Sequence, residues 1–398
     1  MLTSNFLFSI TNILLIISLL LALPIVVLFV ECMAALLPER NYSLKNQELD
    51  VCVVIPAHNE ALCIGSTLAS IHRTSTINEK ILVVADNCTD NTADIARSCG
   101  ATVIERCDLQ NTGKGYALDF GFKYLKANPP DVVVVIDADC TVHSGTIERL
   151  AAMTVETNRP VQAKNLLKAP EHFTPRHAVS VLAFLVKNLV RQRGCSKLGV
   201  PASLTGTGMA FPWSLITKVG FASGNIAEDK QIGLDFAVAG YTPIFCEDAL
   251  VTGYFPKHKQ AGNSQRTRWV HGHLQTLLTQ VPKLFLAAIR QKRFDLIAIA
   301  LDLSVLPVSL LVILWFVSFS LALSISTLLG IWLPMLILSV EGLCIIIAIT
   351  SAWFKFGRSA LPTRSLLTIP FYMIWNLSIY LSFLIKPQKT WVRTERDS

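Results

Sequence analysis

Residues 7–29 carry no charge, and residues 296–353 carry almost none, interrupted only by Asp302 and Glu341. A helix needs about 20 apolar residues to cross a ~30 Å hydrocarbon core. The first run is therefore long enough for one crossing, and the second is too long for a single one. Between them, residues 45–275 have the mixed composition of a soluble α/β domain. The 16% charge of the whole chain, against about 25% in soluble domains, is thus a local deficit. Three units follow: an N-terminal membrane anchor over 1–44, a globular domain over 45–285, and a C-terminal membrane region with a basic tail over 286–398. A cleaved signal peptide would need a basic leader and a shorter apolar core than this N-terminus has, so the first run reads as a retained anchor.

The second run divides near Ser324–Gly330 into helices over roughly 303–323 and 331–353, with Asp302 marking the entry of the first. Glu341 falls inside the second, where a carboxylate is costly and should face protein or a polar path. The last apolar stretch, 366–385, contains Pro370, Asn376 and several aromatics and has basic residues at both ends. Three crossings plus an interfacial segment are expected, with four crossings as the alternative. The net charge of +7 collects beside the apolar segments, at Lys355, Arg358, Arg364, Lys386, Lys389, Arg393 and Arg396. That is the positive-inside pattern; it predicts a cytosolic domain and tail and membrane lipids as partners. No basic stripe with interleaved aromatics occurs in the domain, so no nucleic-acid partner is expected. The ten cysteines form no C-x-x-C pair or zinc spacing and read as reduced core thiols.

Within the domain, Val51–Pro56, Lys80–Ala85, Ala101–Glu105 and Asp131–Ile136 read as strands. Glu60–Arg73, Thr92–Cys99 and Gly115–Lys126 read as helices between them. This alternation predicts an α/β fold, a mainly parallel sheet covered on both faces. Such sheets bind ligands at the carboxyl ends of their strands. Those ends carry Pro56-Ala57-His58-Asn59-Glu60, Asp86-Asn87-Cys88-Thr89-Asp90 and Asp137-Ala138-Asp139. A single acid there is often a cap or turn former, as Asp90 is before the next helix. In an extended D-x-D, however, alternate side chains point the same way, so both carboxylates can reach one divalent cation, Mg²⁺ or Mn²⁺.

Further motifs follow in order: Asn111-Thr112-Gly113-Lys114-Gly115-Tyr116-Ala117-Leu118, Ala227-Glu228-Asp229, and Gln265-Arg266-Thr267-Arg268-Trp269. With the strand-end acids, these resemble the family 2 glycosyltransferases of GT-A fold. More narrowly, they resemble the membrane-bound branch of cellulose, hyaluronan and poly-N-acetylglucosamine synthases. The resemblance covers about residues 50–285 and the flanking helices. It implies that Pro56, Glu60 and Asp86 line the nucleotide pocket and that Lys114 lies near the diphosphate. It further implies that Asp137 holds the donor and Asp139 the metal, and that Asp229 is the general base, with Glu228 beside it. Gln265, Arg268 and Trp269 would serve the acceptor and diphosphate.

A nucleotide sugar, a UDP-sugar above all, is the implied donor. The acceptor is a growing polysaccharide or, alternatively, a lipid-linked one. A bacterial inner membrane is the implied location, and inverting transfer with β-linkages the implied chemistry. Ala227 departs from the usual Thr, and His58 stands where Tyr is common. Leu204–Ala210 takes the place of an acceptor loop. Residues 177–193 read either as a core helix with a solvated basic tip or as an interfacial helix. A non-catalytic export or scaffold subunit is the competing class, and the intact acids argue against it. A sugar nucleotidyltransferase would need a Gly-rich, Arg-containing loop after the first strand, which Pro56–Glu60 is not.

Overall fold

Val132–Val135 has no exposed side chain and lies near the middle of an eight-stranded sheet. The computed structural model describes residues 2–38, 48–75, 79–168, 175–255, 259–359 and 361–388. The strands are β1 (Val51–Ala57), β2 (Lys80–Asp86), β3 (Thr102–Arg106), β4 (Val132–Val135), β5 (Thr141–Val142), β6 (Val161–Lys168), β7 (Met209–Pro212) and β8 (Ile244–Tyr254). Their spatial order is β3-β2-β1-β4-β7-β6-β8-β5. The first four are parallel, as the alternation predicts. Beyond β4 the sheet is mixed: β7 runs antiparallel to β4 and β6, β8 parallel to β6, and β5 antiparallel to β8.

Side chains alternate between two cores, as a strand's two-residue period requires. Val51, Val53 and Ile55 pack with Ile64, Leu68 and Ile71 of α2 (Ile64–Thr74) and with Ala96 of α3 (Thr92–Ser98). Cys52 and Val54 pack on the opposite face with Leu118 and Phe122 of α4 (Lys114–Leu125). The first face also carries α5 (Thr146–Thr157), through Ile147 and Leu150. Helix α2 starts four residues later than the sequence predicts. The Glu60 amide donates to Thr92 Oγ1 at 2.8 Å, and Asn59 stands at φ 54°, so the chain turns before it winds. No disulfide joins the described cysteines.

After β6, α6 (Pro175–Leu185) passes through a π-helical turn, Val186–Arg191, into α7 (Gln192–Leu198). The basic end of this stretch is neither a solvated tip nor an interfacial fringe. Arg191 and Arg193 are buried. Arg191 donates from Nε to Glu31 at 2.6 Å and from Nη2 to Asp302 at 2.5 Å. Arg193 holds the carbonyls of Ala35 and Leu37 at 2.7 and 2.8 Å and pairs with Glu247. Gly194 makes this possible: a Cβ there would stand 2.0 Å from the Glu31 carbonyl oxygen, so only glycine lets α7 lie this close to α1 (Leu2–Ala34).

After the short α8 (Trp213–Ile216), α9 (Glu228–Val238) packs through Leu234 and Ala237 on α10 (Lys259–Gln291) and α11 (Phe294–Ser304). Helix α10 runs unbroken past the expected boundary at 285. Among the described residues, three helices are long and apolar enough to cross a membrane by length and composition: Ser9–Ala34 within α1, α12 (Val308–Leu329), and α13 (Leu333–Ala352), whose apolar course extends to Gly357. Asp302 does not mark an entry. It belongs to α11, Pro307 separates it from α12, and its carboxylate accepts from Arg191 and from Ser203 Oγ at 2.8 Å. Glu341 is buried among helices, as the cost of its charge predicts, and neither of its carboxylate oxygens has a hydrogen-bond partner among the described residues. The last apolar stretch forms α14 (Ile369–Ile385), 17 residues long, or ~25 Å at 1.5 Å per residue. The tail residues Lys389, Arg393 and Arg396 lie outside the described residues.

Candidate active site

The parallel strands end on one edge, and the acids predicted there meet in one cavity of about 670 Å³. Pro56 enters it from the end of β1 and Glu60 from the turn that follows, Asp86 from the end of β2, and Asp137 and Asp139 just after β4. Lys114 enters from the start of α4, Glu228 and Asp229 from the start of α9, and Gln265, Arg268 and Trp269 from α10.

The donor side is fixed by cross-strand bonds. His58 Nδ1 lies 2.6 Å from the Asp86 carbonyl oxygen. Asp86 Oδ1 accepts from Arg106 Nη1 at 2.7 Å, and Arg106 also reaches Asp108 at 2.9 Å and the Asn111 carbonyl at 2.8 Å. Burial raises the Asp86 pKa, against the opposing pull of Arg106. Asp90 proves to be a turn former, accepting from the Thr92 amide at 3.0 Å and from the Ala61 amide at 3.2 Å.

Lys114 donates to Asp137 and to the Gly206 carbonyl, the latter at 2.5 Å. Burial works against its charge, but Asp137 and Glu228 outweigh it and hold its pKa above the ordinary lysine value. The next position is constrained too: a Cβ on Gly115 would lie 2.5 Å from the Phe221 carbonyl oxygen.

The loop before β7 closes the far wall. The Asp137 amide donates to Thr207 Oγ1 at 3.0 Å. Gln162 of β6 donates to the Thr207 carbonyl and accepts from the Thr205 amide, both at 2.8 Å. Asn165 holds the Thr205 carbonyl at 2.9 Å. A Cβ on Gly206 would stand 3.5 Å from Asp229 Oδ2, so loop and acid are neighbours. Burial, with Asp229 adding to it, pushes the Glu228 pKa up to about 7. Trp269 stands against Phe184, ring centres 5.5 Å apart and planes tilted by 43°.

For a divalent cation, Asp137, Asp139 and Cys140 offer ligand atoms within 4.8 Å of one another. Burial pushes the Cys140 thiol well above its usual range, so it stays protonated. Asp137 is shared with Lys114. Asp139 is thus the principal protein ligand this geometry offers, which suits a hard cation that takes one or two carboxylates and completes its shell with phosphate oxygens and water.

Sequence reasoning missed Arg106, Gln162, Asn165 and Lys187. Arg106 was one position beyond the expected third strand, and β6 was not predicted at all.

Comparison with known proteins gives a consistent picture. A family model described as "Glycosyltransferase like family 2" matches residues 49–272, more than half of the chain. The probable glycosyltransferase YdaM of Bacillus subtilis (strain 168) is 28% identical over 259 residues, covering 62% of this chain and 60% of that protein. The 4,4'-diaponeurosporenoate glycosyltransferase of Staphylococcus aureus (strain N315) is 31% identical over 164 residues, covering 39% and 42%. The chain thus spans less than two thirds of these curated relatives. Among solved structures, the mannosyltransferase PcManGT from Pyrobaculum calidifontis, in complex with GDP-Man and Mn²⁺, matches 88% of this chain and 99% of that one. The TM-score is 0.56 at 19% identity, a likeness of fold: the α/β GT-A fold.

Proposed function

The chain belongs to the glycosyltransferase-like family 2, a family of nucleotide-sugar glycosyltransferases, and on that premise we propose that it performs inverting, divalent-metal-dependent transfer at the cytosolic face of a bacterial inner membrane. The observation that carries this reading is the cavity itself, where Lys114, Asp137, Asp139, Glu228 and Asp229 converge at the carboxyl ends of the strands. Pro56, Glu60 and Asp86 hold the nucleotide, with Arg106 orienting Asp86. Asp139, with Asp137 beside it, would hold Mg²⁺ or Mn²⁺, which would supply charge neutralisation for the leaving diphosphate. Lys114 and Arg268 add fixed positive charge on the same side. Asp229 takes the proton from the acceptor hydroxyl as that oxygen attacks the anomeric carbon, and the nucleoside diphosphate departs from the opposite face. One base facing one leaving group gives inversion, hence a β-linkage from an α-linked donor.

The donor reading is a UDP-sugar; PcManGT binds GDP-Man, so the base is open to test. For the acceptor, a specific observation favours the lipid-linked reading over polysaccharide extension. Trp269, expected to serve the acceptor, is packed against Phe184. Both residues also line a second cavity at the membrane side, of about 140 Å³. That cavity is walled by Val308 and Ser309 of α12 and by Tyr372, Asn376 and Tyr380 of α14, which gives a lipid-linked acceptor an apolar path beside it. Polysaccharide extension remains the alternative.

Purified full-length protein, incubated with Mn²⁺, a panel of radiolabelled UDP- and GDP-sugars and a membrane lipid extract, tests the reading. Labelled product partitioning into butanol as a single species is expected. Labelled material of graded, increasing size would establish polymerisation instead, and no incorporation from any donor would overturn the transferase reading.

A further inference from the structure

The second cavity lies between α6 with its π-turn, α10, α12 and α14, and it meets the first at Phe184, Lys187 and Trp269. Its charge is one-sided. Lys187, Arg191 and Arg266 line it, and among the described residues no acid does. The three cations differ in their partners. Arg191 is neutralised by Glu31 and Asp302. The Arg266 guanidinium lies 4.4 Å from the Trp375 ring centre and donates to Ser180 Oγ at 2.8 Å. Lys187, at the junction of the two cavities, makes no hydrogen bond or ion pair among the described residues.

A second polar group aims into the same space. Asn376 is 3% exposed; among the described residues its Oδ1 has no hydrogen-bond partner and its Nδ2 makes only a 3.4 Å contact with Ser309 Oγ. Ser309 sits in the first turn of the crossing-length helix α12, so the cavity opens where the apolar helices begin.

Resting on the lipid-linked reading above, we infer that this cavity is the subsite for the anionic headgroup, phosphate or carboxylate, of an amphiphilic acceptor. Lys187 supplies its counter-charge, Arg266 a second cation, and Asn376 a hydrogen bond. A half-buried ammonium with no ion-pair partner among the described residues, as Lys187 has, is stabilised when an anion joins it. Burial draws the Lys187 pKa down, with Asp229 the first of the charges opposing that; a bound anion would oppose it further. The headgroup is thereby held one side chain away from the cavity of Asp229, with its chain directed along α12 and α14 and its sugar or hydroxyl end towards the donor.

The test reads binding, not transfer. Full-length protein in non-ionic detergent is titrated calorimetrically with farnesyl phosphate, farnesoate and farnesol, with UDP and GDP titrated separately on the same sample. At least one of the two anions is expected to bind at least tenfold more tightly than farnesol, and whichever is tighter names the headgroup. Lys187→Met should weaken that anion about tenfold or more, as loss of a charged hydrogen bond worth ~1.5–3 kcal/mol implies, and leave farnesol unchanged. Lys187→Arg should retain the preference. Asn376→Asp, which places a carboxylate in the cavity with little change of shape, should weaken the anion independently if Lys187→Met fails to fold. Farnesol binding as tightly as both anions, or anion affinity unchanged in both Lys187→Met and Asn376→Asp, would overturn the subsite. Anion selectivity without any nucleotide binding would instead sink the transferase reading and leave the subsite standing.

Discussion

The nucleotide edge and the membrane-side wall of the same cavity are built on opposite principles. The edge is made by parallel strands whose buried valines end in acids, so position in the sheet dictates position in the site. The wall is made by α6 with its π-turn, α10 and α14, held by polar contacts between residues far apart in the chain. Arg191 and Glu31 are 160 residues apart, and Ser180 and Tyr372 are 192 apart. The edge is therefore a local consequence of sequence, and the wall exists only once the membrane helices are in place. A substitution in the edge should change chemistry and leave assembly intact; loss of a buried ion pair that holds the wall should do the reverse.

The largest expected effect lies at the seam between them. Asp229→Asn keeps the shape of the side chain but cannot accept the acceptor's proton, and loss of a general base costs about 10²–10⁴ in rate. Initial transfer rates should fall by that order, while calorimetric affinity for the nucleoside diphosphate stays near wild type. A near-normal rate would move the base to Glu228. Chelation by EDTA should silence wild-type transfer, with Mn²⁺ restoring it; Asp139→Ala should not be rescued.

The wall breaks differently. Arg191→Met leaves the buried Glu31 and the half-buried Asp302 without their counter-ion, and breaking a buried pair typically costs about 3–5 kcal/mol. Thermal unfolding in detergent should show a loss of that order, partly recovered by adding Glu31→Gln. The nucleotide affinity of whatever remains folded should be unchanged. Equal loss of both properties would show that edge and wall form one cooperative unit.

These contrasts explain what was legible in the sequence. Asp137-Ala138-Asp139 and Asp86 were readable because an apolar run followed by acids has few other uses, and the parallel half of the sheet followed from the same runs. The later, mixed strands were not readable. β6 (VQAKNLLK) mixes polar and apolar residues because Gln162 and Asn165 turn inward to pin the loop before β7. Asp302 and the 177–193 basic end were misread for one reason. A charge beside an apolar segment resembles a membrane flank until its partner, distant in sequence, is known.

Within the edge, Arg106 offers a smaller and sharper test. Its fork joins Asp86, Asp108 and the Asn111 carbonyl, which a lysine ammonium cannot span. Arg106→Lys should weaken nucleoside diphosphate binding about tenfold, in line with ~1.5 kcal/mol for one charged hydrogen bond. The melting temperature should scarcely move. An unchanged affinity would mean that Asp86 needs no orienting partner.

The smallest effect concerns Glu228, whose pKa is pushed to about 7 from an ordinary 4.5 by burial and then by Asp229. Below pH about 4.5 its carboxyl is protonated whether the chain is folded or not. Between there and pH 7 the unfolded chain releases the proton while the folded chain keeps it. Stability from this group therefore falls as pH rises through that window, and levels off above it. Glu228→Gln removes the titration and keeps the shape. Its melting temperature, followed by tryptophan fluorescence in EDTA, should match wild type near pH 4.5 and exceed it by a few degrees at pH 8, most of the gain appearing between. A difference that stays constant across the range would mean that Glu228 titrates alike folded and unfolded. The seam would then be wet enough to ionise it.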